Sequence, residues 1–119
     1  MFVILIHYTK PLAEVDQHKP AHSAYLDQFY ANGSMIVSGR RIDGKGGVLI
    51  ANMASRAEVE SLIAQDPYAV NGVAQYEIID FHPGKYAQEF GSFIHFPPAA
   101  SELRPDAPLP GGDASTTTR

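Results

Sequence analysis

Apolar and polar positions follow two rhythms along this chain, and the rhythms switch in a definite order. Residues 2–8 (FVILIHY) are β-branched, aromatic and almost continuously apolar, the pattern of a strand covered on both faces. From Asp16 to Ala31 the apolar residues Tyr25, Leu26 and Phe29 recur at helical spacing, Pro20 is tolerable in the first turn, and Asn32-Gly33 supplies a stop. Residues 35–39 (MIVSG) predict a second strand. The run Asp43-Gly44-Lys45-Gly46-Gly47 predicts a hairpin loop, because its three glycines admit positive φ, and Val48 to Met53 then returns as a third strand. Ser55 and Glu58 stand three apart as a capping box, opening a second helix whose buried stripe is Val59, Leu62 and Ile63. Asp66-Pro67 ends that helix, since proline disfavours helical backbone in the residue before it. Gln75 to Phe81 (QYEIIDF) predicts the fourth strand.

The order β-α-β-β-α-β implies an α+β, ferredoxin-like fold with both helices on one face of the sheet. The other face needs cover, and the first strand is apolar on both sides; a second copy of the chain is the simplest cover, so a homodimer is expected. Residues 93–96 (FIHF) would add an edge strand or cross to that partner. Composition changes near Pro97: residues 97–119 hold five prolines and two glycines, no aromatic residue and only two leucines. Such a stretch buries too little apolar surface to offset its ordering entropy. The chain therefore divides into a domain over 1–96 and a Pro/Gly-rich tail over 97–119.

Charge and cysteine content narrow the chemistry. The formal net charge is -4 and the nine Lys and Arg are scattered, whereas a nucleic-acid binder needs a basic stripe; no nucleic-acid partner is expected. With no cysteine, disulfides, thiolate nucleophiles and thiolate metal sites are excluded. The apolar start stops at His7 and Tyr8, too short to span a bilayer and without a basic n-region, so the expectation is a cytoplasmic protein with no membrane partner. His18 and His22 have the i, i+4 spacing of a chelating pair, but residue 19 is Lys and no acidic residue follows at a matching interval. His7, His18, His82 and His95 make a metal site worth testing, but a lone i, i+4 pair is a weak signal, and neither a P-loop nor a dinucleotide fingerprint occurs, so neither metal nor cofactor is expected.

His22 precedes Tyr25, Leu26 and Phe29 by three, four and seven positions and so lies on the sheet-facing stripe of its helix. An imidazole there is either a core histidine bonded to a carbonyl or a general acid or base. Asp66 follows Leu62 and Ile63 by four and three positions, placing it at the sheet-facing end of the second helix. It is either a turn-forming Asp or the partner of a cation such as His22. Ser38 and Arg40 share one face of the second strand, with Arg41 on the other, unless Gly39 marks a bulge. Arg40 can then hold a carboxylate or phenolate, or serve only in a solvated turn.

Three segments resemble the YciI-like (YCII-related) family. Lys19-Pro20-Ala21-His22-Ser23-Ala24-Tyr25-Leu26 is similar to the family's R-P-x-H-L-x-x-L helix, and Ser38-Gly39 falls where the family closes its second strand with glycine. Ala64-Gln65-Asp66-Pro67-Tyr68 followed by Gly72-Val73 resembles A-x-D-P-[YF]-x-x-A-G-[VL], and the segments keep order and spacing over about 1–85. The resemblance implies a dimeric ferredoxin-like α+β barrel with a pocket around a His–Asp pair, here His22 and Asp66. It further implies a chemistry such as cofactor-free dehydrochlorination of a chlorinated hydroxyhydroquinone. Two positions depart from the pattern: Lys19 replaces the family's usual Arg, and Arg40 stands where Pro usually follows the glycine.

The function expected is a lyase-type enzyme that moves protons on a small aromatic or quinoid substrate. His22 would take or deliver the proton and Asp66 would orient it. Arg40, with Ser38 as a weaker candidate, would hold the developing oxyanion, and Tyr8, Tyr25 and Tyr68 would line a flat pocket. The alternatives are a non-catalytic small-ligand-binding module and an isomerase of muconolactone type.

Overall fold

The computed structural model describes residues 1–94, so the predicted tail over 97–119 and residues 95 and 96 of the FIHF segment lie outside the described residues. Four strands, β1 (Phe2–Tyr8), β2 (Met35–Arg40), β3 (Gly46–Ala51) and β4 (Ala74–Asp80), form one antiparallel sheet in the order β2-β3-β1-β4. Helices α1 (Leu12–Asp16) and α2 (Lys19–Ala31) follow β1, and α3 (Arg56–Gln65) and α4 (Pro67–Val70) connect β3 to β4. The α+β, ferredoxin-like expectation is met.

Strand alternation explains which residues form the core. Pairing aligns Phe2, Ile4 and Ile6 with Ala51, Leu49 and Gly47 on one side and with Asp80, Ile78 and Tyr76 on the other, so these residues share the helix-covered face. On that face Ile4, Leu49 and Ala51 are fully buried against Leu26 of α2 and Val59 and Leu62 of α3. The opposite face carries Val3, Leu5, Val48 and Ile50, with Val37 50% and Ile79 43% exposed at its edges. Among the described residues, strand β1 is thus covered by helices on one face only.

Several boundaries differ from the sequence reading, each for a local reason. The first helix begins at Lys19 rather than near Asp16, because the chain turns at Gln17 and His18 after a separate helix α1. Helix α1 adds the fully buried Val15 to the core. The irregularity in β2 falls between Met35 and Val37, not at Gly39, so Ser38 and Arg40 both face the helices opposite Leu49 and Gly47. Of the hairpin glycines only Gly44 has positive φ (73°); Gly46 and Gly47 are strand residues, and a Cβ on Gly46 would sit 1.8 Å from the Ile6 carbonyl oxygen. That glycine serves close strand approach rather than turn geometry.

Ser55 accepts from Glu58 N at 3.2 Å, the first half of the capping box; the reciprocal Glu58 bond is not among the hydrogen bonds of the described residues. Asp66 does end α3, but it also caps α4, whose first residue is Pro67. Phe93 closes a short 3₁₀ turn (Gln88–Phe93) and Ile94 follows it, so these two residues do not form the edge strand that was one of the two expectations for FIHF. Among the described residues no helix is long and apolar enough to cross a membrane.

Candidate active site

The break between α3 and α4 places Asp66 beneath α2. Its backbone is extended (φ −64°, ψ 129°), its side chain is fully buried, and Oδ1 accepts from Tyr68 N at 3.1 Å. The local-turn role and the pairing role are both filled, because the same Oδ1 lies 2.7 Å from His22 Nδ1. The second oxygen, Oδ2, accepts from the Tyr76 hydroxyl at 2.6 Å. A buried carboxylate with three donors has its charge solvated by the protein. Burial, reinforced by the Asp66 charge, pushes the Tyr76 hydroxyl well above its ordinary range, so it stays a neutral donor.

His22 stands one turn into α2 with its side chain 13% exposed. Its ring stacks flat on Tyr68, centroids 3.9 Å apart and planes 9° from parallel. With Nδ1–H donating to the carboxylate, the neutral ring carries its lone pair on Nε2. His22 borders a cleft of about 160 Å³ between α2 and the sheet, floored by Ile6, Leu26 and Leu49. A cavity near 150 Å³ accepts a benzene ring, so this cleft is sized for a single six-membered ring.

The polar wall of the cleft comes from strand ends. Tyr8 meets Tyr68 edge-on, centroids 5.9 Å apart. Arg40 Nε donates to the Tyr8 oxygen at 3.2 Å, Arg40 Nη2 donates to Asp16, and the guanidinium carbon lies 5.5 Å from the Tyr8 ring centre. Hydrogen bonds to Asp16 and then to Tyr8 push Arg40 further up from its already high range, so it remains a cation. Burial and the neighbouring Tyr8 raise the Tyr68 hydroxyl to about 12. Ser38 accepts from the Tyr30 hydroxyl at 2.5 Å, and both border the cleft.

The structure therefore brings together His22, Asp66, Tyr8, Tyr68, Arg40 and Ser38 around one cleft, with Asp66 behind the imidazole. Tyr25 is not on the cleft wall: its hydroxyl donates to the Leu62 carbonyl at 2.7 Å and its ring packs edge-on against Phe29, tying α2 to α3. His7 sits on the opposite sheet face beside Glu77 Oε1 at 3.3 Å, and His18 precedes α2. Arg41 pairs with Asp43 at 2.5 Å in the hairpin, away from Arg40.

The model of the YCII-related domain family matches residues 1–82, the stretch that contains all of these side chains. This chain belongs to the YCII-related family. No curated protein matches its sequence. Among solved structures, the 5-chloro-2-hydroxyhydroquinone dehydrochlorinase of Burkholderia phenoliruptrix AC1100, in complex with 2,5-dihydroxybenzoquinone, aligns with a TM-score of 0.58 and 24% identity. The alignment covers 69% of this chain and 95% of that one, and it shows a shared fold.

In this YCII-related chain, sequence reasoning did not single out Tyr76, Asp16 or Tyr30 as site residues. For Tyr76 a signal existed: alternation along QYEIIDF puts it with Ile78 on the helix-covered face, where a phenol needs a partner. Asp16 and Tyr30 reach Arg40 and Ser38 across 24 and 8 residues, contacts that no local pattern encodes.

Proposed function

We propose that this YCII-related protein is a cofactor-free enzyme that moves a proton on a single-ring aromatic or quinoid substrate. The best-supported reaction is loss of HCl from a chlorinated hydroxyhydroquinone. The observation that carries the reading is His22, oriented through Nδ1 by a buried Asp66, on the wall of a ring-sized cleft. The aligned dehydrochlorinase and its bound dihydroxybenzoquinone support the substrate class.

In this mechanism neutral His22 takes a proton from a ring hydroxyl through Nε2, and Asp66 stabilises the imidazolium. The imidazolium delivers the proton to the ring carbon that bears chlorine, giving a keto tautomer. Chloride then leaves with its bonding electron pair as a second ring hydroxyl releases its proton. The products are a hydroxyquinone and HCl. The two ring carbons that become quinone carbonyls together lose two electrons and the former C–Cl carbon, now C–H, gains two, so no external oxidant or reductant enters. The flat Tyr68 ring and the apolar floor would hold the substrate in plane.

The same reading places a second copy of the chain on the apolar sheet face around Val3, Leu5, Val48 and Ile50, forming a homodimer that acts in the cytoplasm. Purified protein incubated anaerobically with 5-chloro-2-hydroxyhydroquinone should release chloride and form a quinone chromophore together, faster than the buffer control. A ligand-induced rise in Tm with neither product would refute catalysis and favour a binding module.

A further inference from the structure

The cleft contains a cation, Arg40, that would ordinarily be given the task of gripping a substrate oxyanion. Its geometry argues otherwise. The guanidinium is held at two points, Nε on the Tyr8 oxygen at 3.2 Å and Nη2 on Asp16, and it lies against the Tyr8 ring at 5.5 Å. With Nε and Nη2 given to a phenol and a carboxylate, that edge of the fork is no longer open to a bidentate oxyanion, and the guanidinium also faces the Tyr68 hydroxyl. The Tyr8 oxygen, by contrast, accepts from Arg40 and therefore retains its own O–H to donate. Among the described residues no acceptor takes that proton, and Tyr8 borders the same cleft as His22. Tyr8 also joins the imidazole through one aromatic wall, edge-on to Tyr68, which stacks flat on His22.

The register explains how this arises. Tyr8 lies on the helix-covered face at the end of β1, in line with Ile6, and Arg40 lies on the same face of β2, across Gly47 from Ile6. Gly47 has no side chain to separate them, so a long arginine can cross β3 and reach the phenol.

We propose that the Tyr8 hydroxyl, not the Arg40 guanidinium, is the donor that binds the substrate oxygen on which negative charge collects. Arg40, anchored by Asp16, is then a positioning residue that holds the Tyr8 oxygen and polarises its O–H through a charge-assisted hydrogen bond. The inference rests on the proton-transfer reading of the cleft and specifies its ligand as a phenol or enol bound as the anion. Removing the proton through His22 and stabilising the anion through Tyr8 assign the two halves of one step to two side chains.

The test uses 4-nitrocatechol, whose visible spectrum reports its ionisation. Bound to the wild-type protein, the probe should ionise at least about one pH unit below its free midpoint, a tenfold preference for the anion. Tyr8→Phe, which removes one oxygen and keeps the ring, should return the midpoint toward the free value by about one unit, a tenfold loss of that preference. Arg40→Lys keeps the charge but not the two-point fork, and should move the midpoint the same way. A folded Tyr8→Phe protein with the wild-type midpoint overturns the inference, as does a wild-type protein that leaves the probe's spectrum unchanged. Loss of the preference in Arg40→Gln alone, with Tyr8→Phe unaffected, overturns it in favour of direct arginine contact. Absence of chloride release beside a Tyr8-dependent midpoint refutes dehydrochlorination and leaves the inference standing. Chloride release with a Tyr8-independent midpoint does the reverse.

Discussion

Tyr76→Phe removes the hydroxyl that donates to the most deeply buried polar group of the site, the Asp66 carboxylate. The Asp66 side chain is fully buried, and its Oδ2 receives one donor among the described residues, the Tyr76 hydroxyl at 2.6 Å. The variant keeps ring and packing but leaves half of a carboxylate without a partner, where water does not reach. A hydrogen bond to a charged group contributes about 1.5–3 kcal/mol net. For a domain of this size each kcal/mol moves Tm by about 4–8 °C, so the expected fall is about 6–24 °C. The His22 bond is made through Oδ1, so the pair itself survives the change. Thermal unfolding followed by circular dichroism, checked by urea titration, measures the cost. A double-mutant cycle with Asp66→Asn isolates the pair: on the Asn background the same substitution should cost less by about 0.5–3 kcal/mol, the usual range for groups in contact. A Tyr76→Phe protein with the wild-type Tm, or equal costs on both backgrounds, would refute the claim that Tyr76 carries the carboxylate's second oxygen.

Two further predictions concern the fold and its pH dependence. Gly46→Ala should destabilise by about 3 kcal/mol or more, because its Cβ would meet the Ile6 carbonyl oxygen at 1.8 Å, whereas Gly39→Ala, with nothing within 4 Å, should stay within about 0.5 kcal/mol of wild type in urea unfolding. Equal midpoints for the two variants would contradict the packing described between β1 and β3. Stability should also fall as pH rises from about 10 to about 12. Burial, with Tyr8, raises the Tyr68 hydroxyl to about 12 from an ordinary 10.0, and burial, with Asp66, raises Tyr76 further. In that window the unfolded chain releases tyrosine protons that the folded chain keeps, so the unfolded state binds fewer protons and the folded state loses its advantage. Urea midpoints that stay level or rise across this range would contradict the burial of these hydroxyls.

Most of the architecture was legible because periodicity reports which face of an element is covered. The continuous apolar run of β1, the helical stripe through Tyr25, Leu26 and Phe29, and the Ser55 cap each marked an element that exists. Helix α1 was not legible: five residues are too few for a period, and only Val15 is buried. At the site, spacing put His22 and Asp66 on sheet-facing positions of two helices, and the family pattern tied them together. It left open whether Asp66 served a turn or a partner, and the structure shows one oxygen doing both. Tyr25 illustrates the opposite limit. Its position on the stripe is the same whether its hydroxyl reaches a cleft or a backbone carbonyl, and here it bonds Leu62. The partners of Arg40 depend on strand order and on the bare Gly47, neither of which is written in local sequence.

The central claim is that His22 carries the proton in this cleft. It is tested most directly by the steady-state rate of chloride release from 5-chloro-2-hydroxyhydroquinone, compared between wild type and a folded His22→Ala protein. Positioned general acid–base groups contribute about 10²–10⁴-fold, so His22→Ala should lose at least about tenfold in kcat while circular dichroism remains that of the wild type. An undiminished rate in the folded variant would contradict the account.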